Sequence, residues 1–246
     1  YIPLLFLISI IILIIINGLK VNEYITQVST QYREDIPIYS VECESKKCAI
    51  TFDCAWGADD IPVILDTLDK YKAKGTFFIV GIWAKKYPET VKLIYERGHE
   101  IANHGYSHAH MSKIPENKIE EEIILCTQML EEITGESTRF FRPPYGEYDS
   151  TTIKVANRMK YQTIQWDVDS LDWKKSLSKE DIYKRVTTRT SNGSIILFHN
   201  DTLHTSEILP SILENLTTNG YECLKISELL IKDNYKIRYD GRQIKN

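Results

Sequence analysis

The chain has 246 residues, 43 % hydrophobic and 26 % charged, with a formal net charge of -4. That is the composition of a globular protein, with apolar material for one domain of roughly 200 residues plus an appendage. Without a long basic run it lacks the clustered Lys and Arg that phosphate contact requires, so nucleic acid is excluded as an expected partner; nor does any feature call for an obligate protein partner.

From Ile2 to Ile16 the chain carries no charge. A helix apolar all round has no polar face to offer water and belongs in a membrane. Residues 1–19 are therefore expected to be a membrane anchor or signal segment. No small-x-small cleavage site follows, which favours an uncleaved anchor and association with the membrane through this helix. Residues 20–44 read as a polar linker, and residues 45–246 as the folded domain.

Strand-like and helix-like segments alternate in that domain. Strands are expected over 48–54, 76–80, 100–103, 139–141, 161–166, 194–198 and 221–224. Helices are expected over 60–72, 88–97, 116–133, 150–159, 179–190, 206–218 and 227–231. Roughly seven βα units define an α/β protein, and the count suits a distorted parallel (β/α) barrel of about seven strands better than an open sheet. The five cysteines, Cys43, Cys48, Cys54, Cys126 and Cys223, lack the close pairs of a zinc ribbon, and their odd number precludes a complete disulfide framework. Either all are free packed thiols, or Cys43 and Cys48 close a small loop outside the cytoplasm.

His104 and His108 are four apart, a spacing that on one helical turn brings two side chains within about 5–6 Å at Cβ and lets both reach one divalent cation. Such a pair also arises by chance in capping or packing. Two further groups strengthen it. The strand ending at Asp53 and the strand ending at His199 each carry a polar residue to the exit of an apolar run, where α/β enzymes place their chemistry.

Thr51-Phe-Asp-Cys54, His104-Gly-Tyr-Ser-His108, Arg142-Pro-Pro-Tyr-Gly146, Asp169-Ser-Leu-Asp-Trp173 and Leu197-Phe-His199 stand in one order. Together they resemble the polysaccharide deacetylases, the NodB-homology group or carbohydrate esterase family four, over residues 47–230. The phrase Phe-Asp-Cys-Ala-Trp-Gly looks like the sporulation-associated PdaB-like branch. The resemblance implies a distorted barrel that binds a divalent metal ion, zinc first with cobalt, nickel and manganese as alternatives, and removes acetyl groups from an N-acetylated glycan such as peptidoglycan. It also implies a catalytic domain outside the cytoplasm, at the cell surface or spore envelope.

Carried over residue by residue, Asp53 is the general base, oriented by Arg142. His104 and His108 are metal ligands. His199 is the general acid, held protonated by Asp172. Tyr145 supplies a backbone N–H to the oxyanion, and Trp173 and Leu197 form apolar walls for the acetyl methyl and the sugar face. The sequence departs from the family at Cys54, where a second acid normally ligates the metal. Cys54 either ligates as a thiolate or packs inward. Asp59 and Asp60 are alternative carboxylates, although both are better suited to capping the helix that starts there. A weakened metal site implies reduced activity, a changed metal preference, or a domain that binds glycan without cleaving it.

Overall fold

The computed structural model describes residues 36–246 together with Ile15 and Asn17. Apart from Ile15 and Asn17, the expected anchor over 1–19 lies outside the described residues, as does most of the linker. Among those described, no helix is long and apolar enough to cross a membrane.

Strand β2 (Lys47–Cys54) is buried at every residue but the first, as befits a strand covered on both faces in a parallel sheet. It is flanked by β3 (Gly75–Ile79) and β8 (Ser194–His199), both parallel to it. On the β3 side the sheet continues in parallel through β4 (Glu100–Asn103), β5 (Phe140–Phe141) and β6 (Gln162–Thr163). On the other side β7 (Val168–Asp169) adds to β8, while β9 (Glu222–Leu224) takes the β3 edge of β2 at its first residues, before β3 begins. The result is a curled α/β half-barrel.

The segment before β2 lies across the sheet's open side. Ile38 bridges to Ile164 in parallel, and β1 (Ser40–Val41) pairs antiparallel with β8 at Ser40 and Ser194. Ile38 and Val41 are buried, so the fold extends into what the polarity of residues 20–44 marks as linker. Its close approach fixes a glycine: Gly193 has φ +82, and a Cβ there would sit 1.7 Å from the Val41 carbonyl oxygen. A terminal hairpin of β10 (Tyr235–Ile237) and β11 (Arg242–Lys245), absent from the expected elements, joins β1 through β11.

Over residues 36–246 the helices are α1 (Ile61–Lys70), α2 (Gly81–Lys86), α3 (Pro88–Glu96), α4 (Glu116–Thr134), α5 (Ser150–Arg158), α6 (Lys179–Arg189), α7 (Thr205–Thr218) and α8 (Ile226–Leu229). Alternation along β2 sorts its side chains. Cys48, Ile50, Phe52 and Cys54 pack among the helices, whereas Ala49 faces the opposite core with Phe78, Ala102 and Ile195. Period 2 thereby puts Thr51 and Asp53 on the inner face.

Helix α2 is not among the expected elements because Val80, its N-cap, gives no side-chain cap. Its first N–H groups instead find the carbonyls of Gly105 and Tyr106 at 2.9 Å each, a tertiary contact invisible to local patterning. The expected strand over 161–166 shrinks to β6, since Ile164 and Gln165 direct their carbonyls to the Arg142 side chain at 3.3 and 3.1 Å. All five cysteines are free, and Cys43 turns to Ser45 rather than to Cys48.

Candidate active site

Asp53 and His199 are register partners at the C-terminal ends of the adjacent strands β2 and β8. Their side chains line a cavity of about 450 Å³ that His104, His108, Tyr145 and Trp173 also border. Sequence-distant groups thus converge as strand-end chemistry should.

Asp53 is held from below. Arg142 Nη1 donates to Asp53 Oδ1 at 2.7 Å and to Thr51 Oγ1 at 3.0 Å, while the guanidinium lies 3.9 Å from the centre of the Phe78 ring. Arg142 is fully buried. Burial pushes the Asp53 carboxyl up, but the opposing charges, Arg142 foremost, hold it below the usual carboxylate value. Asp53 is therefore ionised, with Oδ2 left beside His104 Nε2 at 3.4 Å.

His199 is held from the other side. Asp172 Oδ1 lies 2.8 Å from His199 Nδ1, and its Oδ2 accepts from the His199 backbone N–H at 2.7 Å and from Thr205 Oγ1 at 2.6 Å. Burial disfavours the imidazolium, yet the hydrogen bond and charge of Asp172 outweigh it, so the His199 pKa is raised above its usual value. With Nδ1 engaged, Nε2 is the nitrogen left for a substrate.

The two histidines approach each other from a loop, not from the helical turn their spacing suggests. Gly105 has φ 76 and His108 φ 62. These left-handed residues fold the loop so that the imidazole centroids lie 5.2 Å apart. Glu122 of α4 secures it, accepting from the Tyr106 and Ser107 N–H groups at 2.8 Å each and from Ser107 Oγ at 2.6 Å. His104 Nδ1 pairs with the Arg142 carbonyl at 2.8 Å, which leaves its Nε2 unprotonated and turned to the cavity. Burial lowers the pKa of His104 and brings that of His108 to about 4, so both imidazoles are neutral donors.

A third ligand does not join them. Cys54 is fully buried in the core between sheet and helices, and burial, with the charges of Asp53 and Asp60, pushes its thiol well above the usual range. Strand parity turns Cys54 away from Asp53, which corrects the thiolate-ligand alternative. Asp60 does not supply the missing carboxylate either, because its Oδ2 accepts from the Asp201 N–H at 2.9 Å; nor does its side chain cap α1. Among the described residues, no cluster of three or more His, Cys, Asp or Glu side chains is arranged to hold a metal ion. Two imidazoles fit a divalent cation; the three-ligand set implied by the family pattern does not form. Cys54→Ala is accordingly expected to leave zinc affinity unchanged in equilibrium dialysis. A lost ligand should cost more than the roughly 10- to 100-fold of a lost outer partner, so a drop of that size would restore Cys54 as a donor.

Tyr145 sits at φ 61 in the turn after Arg142. The turn's hydrogen bonds run from Gly146 and Glu147 to Pro143 and Pro144 and leave the Tyr145 N–H outside them. Its half-exposed ring packs 4.4 Å from His108 and stacks at 4.2 Å on His110, whose Nδ1 lies 2.7 Å from Glu147 Oε2. Trp173 is exposed at the mouth, and Leu197 is buried at the floor.

Trp56, to which the sequence motifs assign no role, is 57 % exposed and lies 5.5 Å from the His108 ring. Gly57 sets its position by donating to Asp201 Oδ2 at 2.9 Å while its carbonyl accepts from Trp83 Nε1 at 2.9 Å and from Asn200 Nδ2. The Trp-Gly pair after the first motif was the available signal.

A curled α/β sheet whose strand ends bring a paired carboxylate and a paired imidazole to one cavity, facing two neutral imidazoles, defines an acid–base site. The chain belongs to the polysaccharide deacetylase family, whose sequence model matches residues 40–164. It is 34 % identical over 197 residues to a peptidoglycan-N-acetylglucosamine deacetylase of Bacillus cereus, covering 78 % of this chain and 92 % of the relative. It is 31 % identical over 194 residues to the uncharacterized protein YlxY of Bacillus subtilis. Among solved structures, a CE4 family pseudoenzyme from Bacillus anthracis superposes with a TM-score of 0.77 at 31 % identity, covering 86 % of this chain and 74 % of that one; a mutant of the same protein has restored enzymatic activity. The chain spans 60 %, 54 % and 40 % of the length of three curated relatives it matches.

Proposed function

We propose that the chain is a hydrolase that removes N-acetyl groups from a cell-wall glycan, with peptidoglycan as the substrate class. The observation that carries this reading is the adjacency of two supported groups at one cavity, Asp53 on Arg142 and His199 on Asp172. An ionised Asp53 takes the proton of an attacking water, and a protonated His199 delivers one to the leaving amine. The Tyr145 N–H is suited to the oxyanion. Trp173 and Leu197 flank the acetyl group, and Trp56 offers a further ring for a neighbouring sugar. A divalent cation, zinc first with cobalt, nickel or manganese as alternatives, would be held by His104 and His108 and would polarise the acetyl carbonyl. Residues 1–19 would tether the domain at a membrane, outside the cytoplasm, and the Trp-Gly phrase at Trp56 aligns it with the sporulation-associated branch.

A second reading is a wall-glycan-binding or morphogenetic protein with impaired turnover. Two observations favour it: Cys54 is turned away from the cavity, and the fold is similar to that of a CE4 family pseudoenzyme. Acetate release from N-acetylglucosamine oligomers and from peptidoglycan, with added zinc or cobalt, separates the two. The wild type is expected to exceed Asp53→Asn by at least about 100-fold. Release no greater than that of Asp53→Asn, with glycan still retained in a pull-down, would replace the first reading by the second.

A further inference from the structure

We propose that Cys48 and Cys223 are the two halves of a disulfide that forms when the chain folds in an oxidising compartment. The two residues are register partners on the parallel strands β2 and β9, and their sulfurs lie 3.8 Å apart. Adjacent strands run about 4.7–4.9 Å apart, inside the Cα separation of about 4.4–6.8 Å that a disulfide spans. Small side-chain rotations therefore close the bond, with the register already set.

No other cysteine competes on geometry. Cys43 is engaged with Ser45 at the surface, and Cys126 donates to the Ile79 carbonyl at 3.3 Å. The pair lies at the opposite end of β2 from Asp53, so its oxidation leaves the acid–base groups untouched.

Chemically, each thiol loses its hydrogen, and the two electrons and two protons pass to an incoming small-molecule or protein disulfide. One thiolate attacks that disulfide and releases one thiol. The second cysteine then displaces the other and forms the Cys48–Cys223 bond. Both thiols are buried at 0 % and 5 % exposure, and the hydrogen bond to Cys223 together with burial raises the Cys48 pKa well above its usual value. Exchange is consequently fastest before the sheet closes. Because the partners are 175 residues apart in sequence, the bond would restrict most of the unfolded domain.

The test is a peptide map of the full chain, folded in a mixture of reduced and oxidised glutathione, alkylated in denaturant and digested without reduction. The expected product joins the Cys48 peptide to the Cys223 peptide, with Cys43, Cys54 and Cys126 alkylated. Reductant should lower the thermal midpoint of the oxidised chain by on the order of 10 °C, and Cys223→Ser protein should lack that shift. Alkylation of both Cys48 and Cys223, or a Cys43–Cys48 peptide, would overturn the proposal; the map does not depend on whether the Cys223→Ser chain folds.

Discussion

Arg142→Met is expected to lower the free energy of unfolding by about 3–5 kcal/mol, the usual cost of removing one partner of a buried ion pair. The substitution strands the Asp53 carboxylate, which is 5 % exposed, and it also leaves the Ile164 and Gln165 carbonyls without the donors that now reach them. Urea denaturation measures the loss. Asp53→Asn in the same chain should recover part of it, because the stranded charge disappears while the stranded carbonyls remain.

The pH dependence adds a sign to this result. In the wild type the folded Asp53 carboxyl lies below its usual value of 3.8, so its contribution is complete above that value and is lost as pH falls through the lower folded one. Without Arg142 the largest opposition to burial is gone, and the folded pKa rises relative to wild type. Arg142→Met protein should then gain stability relative to wild type as pH falls toward about 4. A parallel pH profile in the two proteins would contradict the ion pair.

The second large effect is expected at Asp172. Asp172→Asn removes the largest of the charges that keep His199 protonated against its burial, so the imidazole should titrate at lower pH than in the wild type. In the wild type the protonated His199 contributes stability fully below that usual value and loses it as pH rises through the raised folded one. Near pH 8, acetate release by Asp172→Asn should fall by about 10²- to 10⁴-fold, the range for loss of general acid catalysis. The descending limb of its pH–rate profile should also move to lower pH. Titration of the His199 ring by NMR provides a readout independent of turnover, and an unshifted imidazole in Asp172→Asn would remove Asp172 from this role.

Much of the site was legible because strand parity and strand ends are local properties. The apolar run to Asp53 and the run to His199 pointed to two polar strand ends, and the structure makes them register partners on neighbouring parallel strands at one cavity. The histidine loop was legible in composition but not in conformation. The i,i+4 spacing fits a helix, whereas Gly105, His108 and the tertiary anchor Glu122 make a loop that serves the same convergence. Cys54 could have been settled by counting: Asp53 faces inward, so its neighbour faces the helices. Helix α2 and the β10–β11 hairpin were not legible, since α2 takes its first hydrogen-bond acceptors from the loop at Gly105 and Tyr106 and β11 takes its partner from β1, about two hundred residues upstream in the register Ser40 to Arg242.

The most direct test is a crystal structure of the Asp53→Asn protein soaked with an N-acetylglucosamine oligomer and zinc. The expected density places an N-acetyl group in the cavity between residue 53 and His199, its methyl against Leu197 and Trp173, with zinc between His104 and His108. A sugar bound elsewhere, with this cavity filled only by solvent, would contradict the assignment of the site.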